Sequence, residues 1–203
     1  MKQVTIPGGR YTVGSPIDEE GRFDDETQLE VELKPFCMYE TPITRRLWKK
    51  IMGTNPSSFT EGDDYPVEQV SWNDAMSFCA KLNEIEASLG RLIPNYRYTL
   101  PTEAEWEYAA VAGGSSIISD SETLSQSGNP ENGVLRTHPC GDMRSNDWGF
   151  FDMPGNVSEW CRDWLGPYAS GTAVDPTGPR TGSNKAFRGA SYLGNSSAMH
   201  YLH

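Results

Sequence analysis

The sequence has few cysteines and no long apolar run, and these absences exclude several classes of protein. No stretch of about 18 consecutive apolar residues occurs in the 203-residue chain, so we expect no transmembrane segment. Residues 1–5 lack the apolar core of a signal peptide. The four cysteines are Cys37, Cys79, Cys140 and Cys161. They show neither a CxxC pair nor zinc-site spacing, so we expect them to be buried apolar side chains or, as the alternative, to form a disulfide.

Basic residues are scarce as well. Lys and Arg number 17 against 28 Asp and Glu, which gives a net charge of −11. Binding of nucleic-acid phosphates needs clustered basic residues, and the only short basic run is Arg45-Arg46 with Lys49-Lys50. We therefore expect no nucleic-acid partner. The motifs GxSxG and HExxH and a phosphate-binding loop are also absent, so the sequence favours neither a hydrolase of those types nor a nucleotide-binding protein.

Aromatic residues, glycine and proline are plentiful. Six Trp, nine Tyr and seven Phe supply large buried areas, although only 36% of the residues are hydrophobic. Twenty Gly and fourteen Pro indicate a loop-rich protein. The length favours one domain over residues 1–203.

Periodicity predicts short strands and capping residues predict helices. Alternating apolar residues favour a strand that follows the turn at residues 7–9, and further strands at 29–33 and 36–40, with an acidic loop at 18–26. Three helices are expected, with N-caps at Thr44, at Ser71 or Asn73, and at Thr102. The first of them is expected to end at Gly53. Glu105 completes a capping box with Thr102, so we attribute Glu103, Glu105 and Glu107 to capping and the helix dipole rather than to acid–base catalysis. From residue 113 onward the helical period disappears, so turns, side-chain hydrogen bonds or a metal must hold that part.

Six segments occur in one order along nearly the whole chain: 6–9 with 14–15, 39–44, 66–67 with 70–75, 98–110, 149–152 with 155–160, and 187–192. They include Leu-Pro-Thr-Glu-Ala-Glu-Trp at 100–106, Gly-Asn-Val-Ser-Glu-Trp at 155–160 and Phe-Arg-Gly-Ala-Ser-Tyr at 187–192. Together they resemble the formylglycine-generating enzyme family, also called sulfatase-modifying factor domains. The resemblance implies an α+β fold, a variant of the C-type lectin fold, with two helices, short antiparallel strands and extensive irregular loops. It also implies a final strand that the 203 residues lack.

The same resemblance bears on catalysis. In active members of the family two cysteines near the C-terminus bind copper and carry out an oxidation, and residue-by-residue matching places Gly194 and Met199 there. Cu(I) requires thiolates, whereas glycine offers no ligand and a single Met is a weak one. The resemblance therefore implies no catalytic residue of this type, no catalytic cofactor and a protein that is not a copper-thiolate oxidase.

A subset of the fold comprises the variable proteins of diversity-generating retroelements, which this chain resembles most. These proteins change residues near the C-terminus through errors at template adenines, and several residues here are compatible with such codons. Aromatic and small polar side chains also suit a binding loop. The resemblance implies a ligand-binding surface at the following residues: Tyr192, Leu193, Gly194, Asn195, Ala198, His200, Tyr201, Leu202 and His203. Trp164 and Tyr168 would contribute to it unless they pack in the core.

A structural calcium site is implied in the turn that follows Phe151. Calcium prefers six to eight oxygen ligands, and matching to the family places it on Asp152 and the carbonyls of Met153, Gly155 and Val157. The alternative is a turn in which Asn156 and Glu159 only satisfy buried backbone groups.

Other functions stay open at this point. A cysteine-free relative acting as a tailoring enzyme or maturation factor would need a metal or base cluster drawn from His138, Asp142, Asp147 and the two histidines near the C-terminus. A structural module of an envelope or motility complex is a third possibility. The partner is an unknown protein or other macromolecular ligand, and presentation at a cell surface or secretion is implied by the resemblance alone.

Overall fold

A computed structural model describes residues 1–13, 28–114, 136–167, 171–189 and 191. Within these ranges the chain forms seven strands and three helices, a mixed α+β fold. In chain order they are β1 (Gln3–Ile6), β2 (Gly9–Val13), β3 (Leu29–Leu33), β4 (Phe36–Tyr39), α1 (Arg45–Met52), α2 (Trp72–Ser88), α3 (Glu103–Ala110), β5 (Glu159–Trp164), β6 (Thr172–Val174) and β7 (Lys185–Arg188). None of these helices is long and apolar enough to cross a membrane.

The strands form three small sheets. β1 pairs with β4, and β5 pairs with β7, both antiparallel. β3 lies between β2 and β6, antiparallel to the first and parallel to the second. The expected antiparallel pairing is confirmed for β1–β4, β2–β3 and β5–β7, and the parallel pairing of β6 with β3 is an addition to it. Because β6 follows β3 by more than a hundred residues, no tight hairpin constrains its direction.

The predicted strands after Gly8, at 29–33 and at 36–40 are confirmed, and β1 is an additional strand that lies before the Pro7-Gly8 break. The predicted acidic loop at 18–26 lies outside the described residues.

The capping signals identified the helix starts correctly. The side chains of Thr44, Ser71 and Thr102 each accept a backbone N–H three residues ahead. Gly53 ends α1 in the left-handed conformation, with φ of 81°. Within the described ranges there are three helices, one more than the two that the resemblance implied, and the additional one is α1, which packs against α2.

Two groups of buried side chains stabilise the fold. In the first, α3 packs against β2, β3 and the β5–β7 pair, and Trp106 at its centre is fully buried. In the second, α1 and α2 pack through Trp48 and Phe78, whose rings stack with centroids 5.2 Å apart. The last strand, β7, is thus held directly against α3.

The basic run in α1 does not form a cationic surface. Arg45 is fully buried and donates to the carbonyls of Pro66 and Glu61 at 3.2 and 3.1 Å. Arg46 and Lys49 form ion pairs with Asp64 and Asp63.

Candidate functional site

The candidate site is the junction where α3, β5 and β7 meet and the chain leaves β7 toward its C-terminus. All nine residues predicted to bind ligand, Tyr192 through Asn195, Ala198 and His200 through His203, lie outside the described residues, as does Tyr168. The structure describes the base from which that segment starts. β7 ends at Arg188, Gly189 follows it buried, and Ser191 is the last described residue.

A buried ion pair joins this base to α3. Arg188 Nη2 lies 2.7 Å from Glu103 Oε1 and 3.7 Å from Glu107 Oε2, and all three side chains are buried. From β5, the carboxylate of Asp163 accepts the backbone N–H of Glu103. Capping explains Glu105 as predicted, but it does not explain Glu103 and Glu107. No local pattern near Glu103 and Glu107 indicates this role, because Arg188 lies about eighty residues further along the chain.

Gly189 lets the turn at residues 153–158 pack closely against the end of β7. Its φ is 79°, and a Cβ at this position would lie 3.2 Å from the Met153 carbonyl oxygen and 3.5 Å from that of Val157. Ser158 Oγ donates to the Gly189 carbonyl at 3.0 Å. The combination of positive φ and close backbone atoms favours glycine at this position.

The turn itself is built from buried polar residues. Asp152 and Asn156 adopt positive φ, 63° and 69°. Asp152 Oδ2 accepts the backbone N–H of Gly141 at 2.8 Å, and burial raises the pKa of its carboxyl. Asn156 Oδ1 accepts the backbone N–H of His138 while its Nδ2 donates to the His138 carbonyl, both at 3.1 Å. The turn is thereby fastened to residues 138–141.

Glu159 begins β5 beneath this turn. Its side chain is half-buried, and its Oε1 accepts the indole N–H of Trp106 at 3.4 Å. Burial raises the pKa of Glu159 to about 7, with a further contribution from the nearby Asp152 carboxylate. Burial likewise raises the pKa of Asp163 to about 6.

The predicted calcium ligands fit the ion only in part. Asp152 Oδ1 is buried without a hydrogen-bond partner, as an open ligand position would be, and the Met153 and Val157 carbonyls converge beside Gly189. The Gly155 carbonyl, however, accepts the N–H of Val157 at 2.9 Å. In the described part of the chain, no group of three or more His, Cys, Asp or Glu side chains is arranged to hold a metal. Calcium therefore remains a prediction.

The residues considered for a base cluster are partly brought together. His138 and Asp142 lie close enough to Asp152 to influence its pKa. His138 Nδ1 is 3.0 Å from the Pro139 carbonyl, and its Nε2 is buried with no hydrogen-bond partner in the structure. Among the hydrogen bonds and ion pairs of the described residues, none involves the side chain of Asp147.

All four cysteines lie within the described ranges, and all are free thiols. The expectation of burial holds for Cys79 and Cys161 but is wrong for Cys37, which is exposed next to Thr5 on β1. Burial raises the pKa of Cys79 to about 11 and raises those of Cys140 and Cys161 as well. These three thiols are protonated at neutral pH and are therefore poor copper ligands and poor nucleophiles.

Trp164 was predicted to be an exposed contact residue or a core residue, and it is half-buried. Lys185 Nζ lies 3.8 Å from its ring centroid, and the backbone at Gly182 packs against its side chain. The surface around it is therefore part of the frame of the site rather than of the deep core.

Comparison with known proteins supports this description. A family model described as a sulfatase-modifying factor enzyme 1-like domain matches residues 1–202. A formylglycine-generating enzyme of Streptomyces coelicolor is 29% identical over 260 residues, which cover 94% of this chain and 78% of that enzyme. An inactive C-alpha-formylglycine-generating enzyme 2 of Bos taurus is 32% identical over 133 residues, covering 59% of this chain and 39% of that protein.

Among solved structures, the fold is similar to that of Treponema denticola variable protein 1. The TM-score is 0.79 at 25% identity, and the match covers 98% of this chain and 86% of that one. The comparisons thus include an enzyme, an inactive protein and a variable protein on one scaffold.

Proposed function

The chain belongs to the sulfatase-modifying factor enzyme 1-like domain family, and within that family we propose that it is a non-enzymatic, ligand-binding display protein. The observation that carries this proposal is the fold similarity to a variable protein, which extends over 98% of the chain. In this proposal the scaffold presents a diversified C-terminal segment, residues 192–203, to a protein or other macromolecular ligand. Presentation at a cell surface is part of the proposal.

The cysteine chemistry supports a binding role over an oxidase role. Gly194 and Met199 occupy the places that resemblance assigns to the copper-binding cysteines. No other thiol of the chain is a good substitute, because burial keeps Cys79, Cys140 and Cys161 protonated. Cys37 is exposed on β4, in the amino-terminal part of the chain.

The contacts at the base of the segment support a fixed frame for a changeable surface. Arg188 is held by two buried carboxylates, and Gly189 is enclosed by the turn at 153–158. These contacts join residues outside 192–203 to one another. Substitution in the segment would therefore leave the interactions that orient its first residues in place, as in antibody loops carried on a rigid framework.

Sequencing this locus in several isolates tests the proposal. We expect substitutions at Leu193, Gly194, Asn195, Ala198 and the last four residues, with the residues of α3 and β7 unchanged as internal controls. A C-terminal segment that is identical in all isolates, while synonymous changes accumulate elsewhere in the gene, would overturn it.

A biochemical test addresses the enzymatic alternative. The purified chain, incubated with copper and a cysteine-containing peptide, is expected to form no aldehyde above a copper-only control. The Streptomyces enzyme serves as the positive control. Aldehyde formation that depends on this chain would contradict the non-enzymatic assignment directly.

A further inference from the structure

The β5–β7 pair has a second face, directed away from α3, that differs in chemistry from the rest of the protein. Along β5, Cys161 and Asp163 are buried, and along β7, Ala186 and Arg188 are buried. The residues between them point to the other side and are aromatic or basic. We call this surface the outer face: Trp160, Arg162 and Trp164 of β5 with Lys185 and Phe187 of β7.

Its aromatic side chains are arranged around one ammonium group. Lys185 Nζ lies 3.8 Å from the Trp164 ring centroid and 4.1 Å from that of Trp72, and it donates to the Arg162 carbonyl at 3.1 Å. Trp160 packs edge-on against Phe187 with ring centroids 6.0 Å apart. Phe187 is 36% exposed, so part of its apolar ring surface is accessible to solvent.

The outer face is also rigid. The indole N–H of Trp72 donates to the Cys161 carbonyl at 2.9 Å, and that of Trp160 donates to the Val70 carbonyl at 3.0 Å. These two bonds fasten the beginning of α2 to β5 in both directions. A preordered surface of this kind loses little side-chain entropy when it is covered.

The charge of the outer face is opposite to that of the whole chain. The chain has a net charge of −11, yet the two charged side chains of this face are both cations, Arg162 and Lys185. The acids of β5 are turned away, since Asp163 is buried and Glu159 accepts the indole N–H of Trp106 on the side of α3. Asp74, near Trp72, is bonded to the backbone and hydroxyl of Ser71 as a helix cap.

We propose that the outer face is a docking surface for an acidic segment of a partner protein. Trp and Arg are enriched where protein interfaces hold most of their binding energy, and complementary charge steers and orients the partner. Carboxylates of the partner would meet Arg162 and Lys185 while its apolar side chains cover Phe187. This site consists of scaffold residues and does not depend on the diversified segment or on its ligand.

Selection from a random dodecapeptide display library on the full chain tests the docking surface. Two double variants allow a matched comparison: Arg162→Gln/Phe187→Ser on the outer face, and Arg97→Gln/Ile93→Ser in the loop after α2. Arg97 and Ile93 are exposed and belong to a segment that is not part of the outer face. Circular dichroism and thermal melting establish that both variants are folded.

We expect the selected peptides to be enriched in Asp and Glu together with apolar residues. A synthetic peptide of the selected sequence should bind the wild type at least tenfold more tightly than it binds the outer-face variant. It should bind the control variant as tightly as the wild type. Its affinity should also fall as salt is raised. Selected peptides without acidic enrichment, or equal loss in both variants, would overturn the proposal. So would binding of anionic phospholipid vesicles or oligogalacturonate, but not of acidic peptides, to the same face.

Discussion

Arg188 at the end of β7 and Glu103 at the start of α3 form a buried ion pair, with Nη2 and Oε1 2.7 Å apart. The pair connects the strand that leads into the C-terminal segment to the helix at the centre of the core. A second carboxylate, Glu107, lies 3.7 Å from the same nitrogen. The strand that leads into the proposed binding segment is therefore held by charges inside the protein.

Arg188→Met is expected to destabilise the protein by about 3–5 kcal/mol, because removing one partner leaves buried carboxylates without their counter-charge. Urea denaturation measures the change. Arg10→Met is the matched control, since Arg10 pairs with Glu32 on the surface at 2.8 Å, where such a pair contributes about 0–1 kcal/mol. Similar losses of unfolding free energy for the two variants would show that the buried ion pair contributes no more to stability than the exposed one.

Gly189→Ala should cost more than a positive φ alone explains. Gly53 has nearly the same φ, 81° against 79°, but nothing lies within 4 Å of its hypothetical Cβ. We expect Gly53→Ala to lower the free energy of unfolding by about 1 kcal/mol. Gly189→Ala should lower it by at least about 1 kcal/mol more, because the new Cβ at residue 189 would press on the Met153 carbonyl. Comparing the two variants by denaturation isolates the packing contribution. Equal costs would mean that the turn at 153–158 moves without penalty.

The raised pKa of the Glu159 carboxyl should make the folded protein less stable as pH rises. Its pKa in the folded state, about 7, is above the ordinary value near 4.5. Between these values the folded state binds more protons than the unfolded state, so this contribution to stability is complete below about pH 4.5 and is lost as pH rises through 7. Since one pKa unit corresponds to about 1.4 kcal/mol, the loss is about 3 kcal/mol.

Glu159→Gln should remove most of this dependence and be more stable than the wild type at about pH 8, as measured by urea denaturation over a pH series. Asp163, with a pKa near 6, acts in the same direction, so a smaller slope should remain. Glu84→Gln, at an exposed position of α2, controls for the loss of one negative charge. A steeper or unchanged slope in Glu159→Gln would contradict the assignment.

The calcium hypothesis has a direct thermodynamic test. If calcium binds the turn, adding it after EDTA treatment should raise the melting temperature. At a hundred times its dissociation constant it would contribute about 3 kcal/mol. Asp152→Asn should abolish that increase and, because Asn tolerates positive φ, should remain folded. Magnesium serves as the ion control. An unchanged melting temperature in the wild type would favour the alternative of a turn satisfied by its own polar groups.

Local features of the sequence were good guides to local structure. Thr44, Ser71 and Thr102 marked the starts of all three helices, because an N-cap acts within its own first turn. The six matching segments also indicated the family, which the whole-chain match confirms. For Gly194 and Met199, side-chain chemistry alone supported the argument against copper-thiolate oxidation, although that conclusion remains part of the proposed function.

Features that join distant parts of the chain were not predicted. β6 was missed, and its parallel pairing with β3 joins segments more than a hundred residues apart. The cysteines were treated alike, yet Cys37 is exposed and Cys161 is fully buried, because exposure depends on which neighbours the fold supplies.

By itself, the sequence determined where the helices start, the end of α1, most of the amino-terminal strands, the family and the absence of cysteine at Gly194 and Met199, since each of these depends on residue type and near neighbours. Only the tertiary structure decided that Glu103 and Glu107 pair with Arg188 and that Asn156 fastens the turn to His138. It alone decided that the outer face gathers aromatic and basic side chains. The physical reason is that burial and charge pairing are properties of the surroundings, and the surroundings are assembled from segments far apart in the chain.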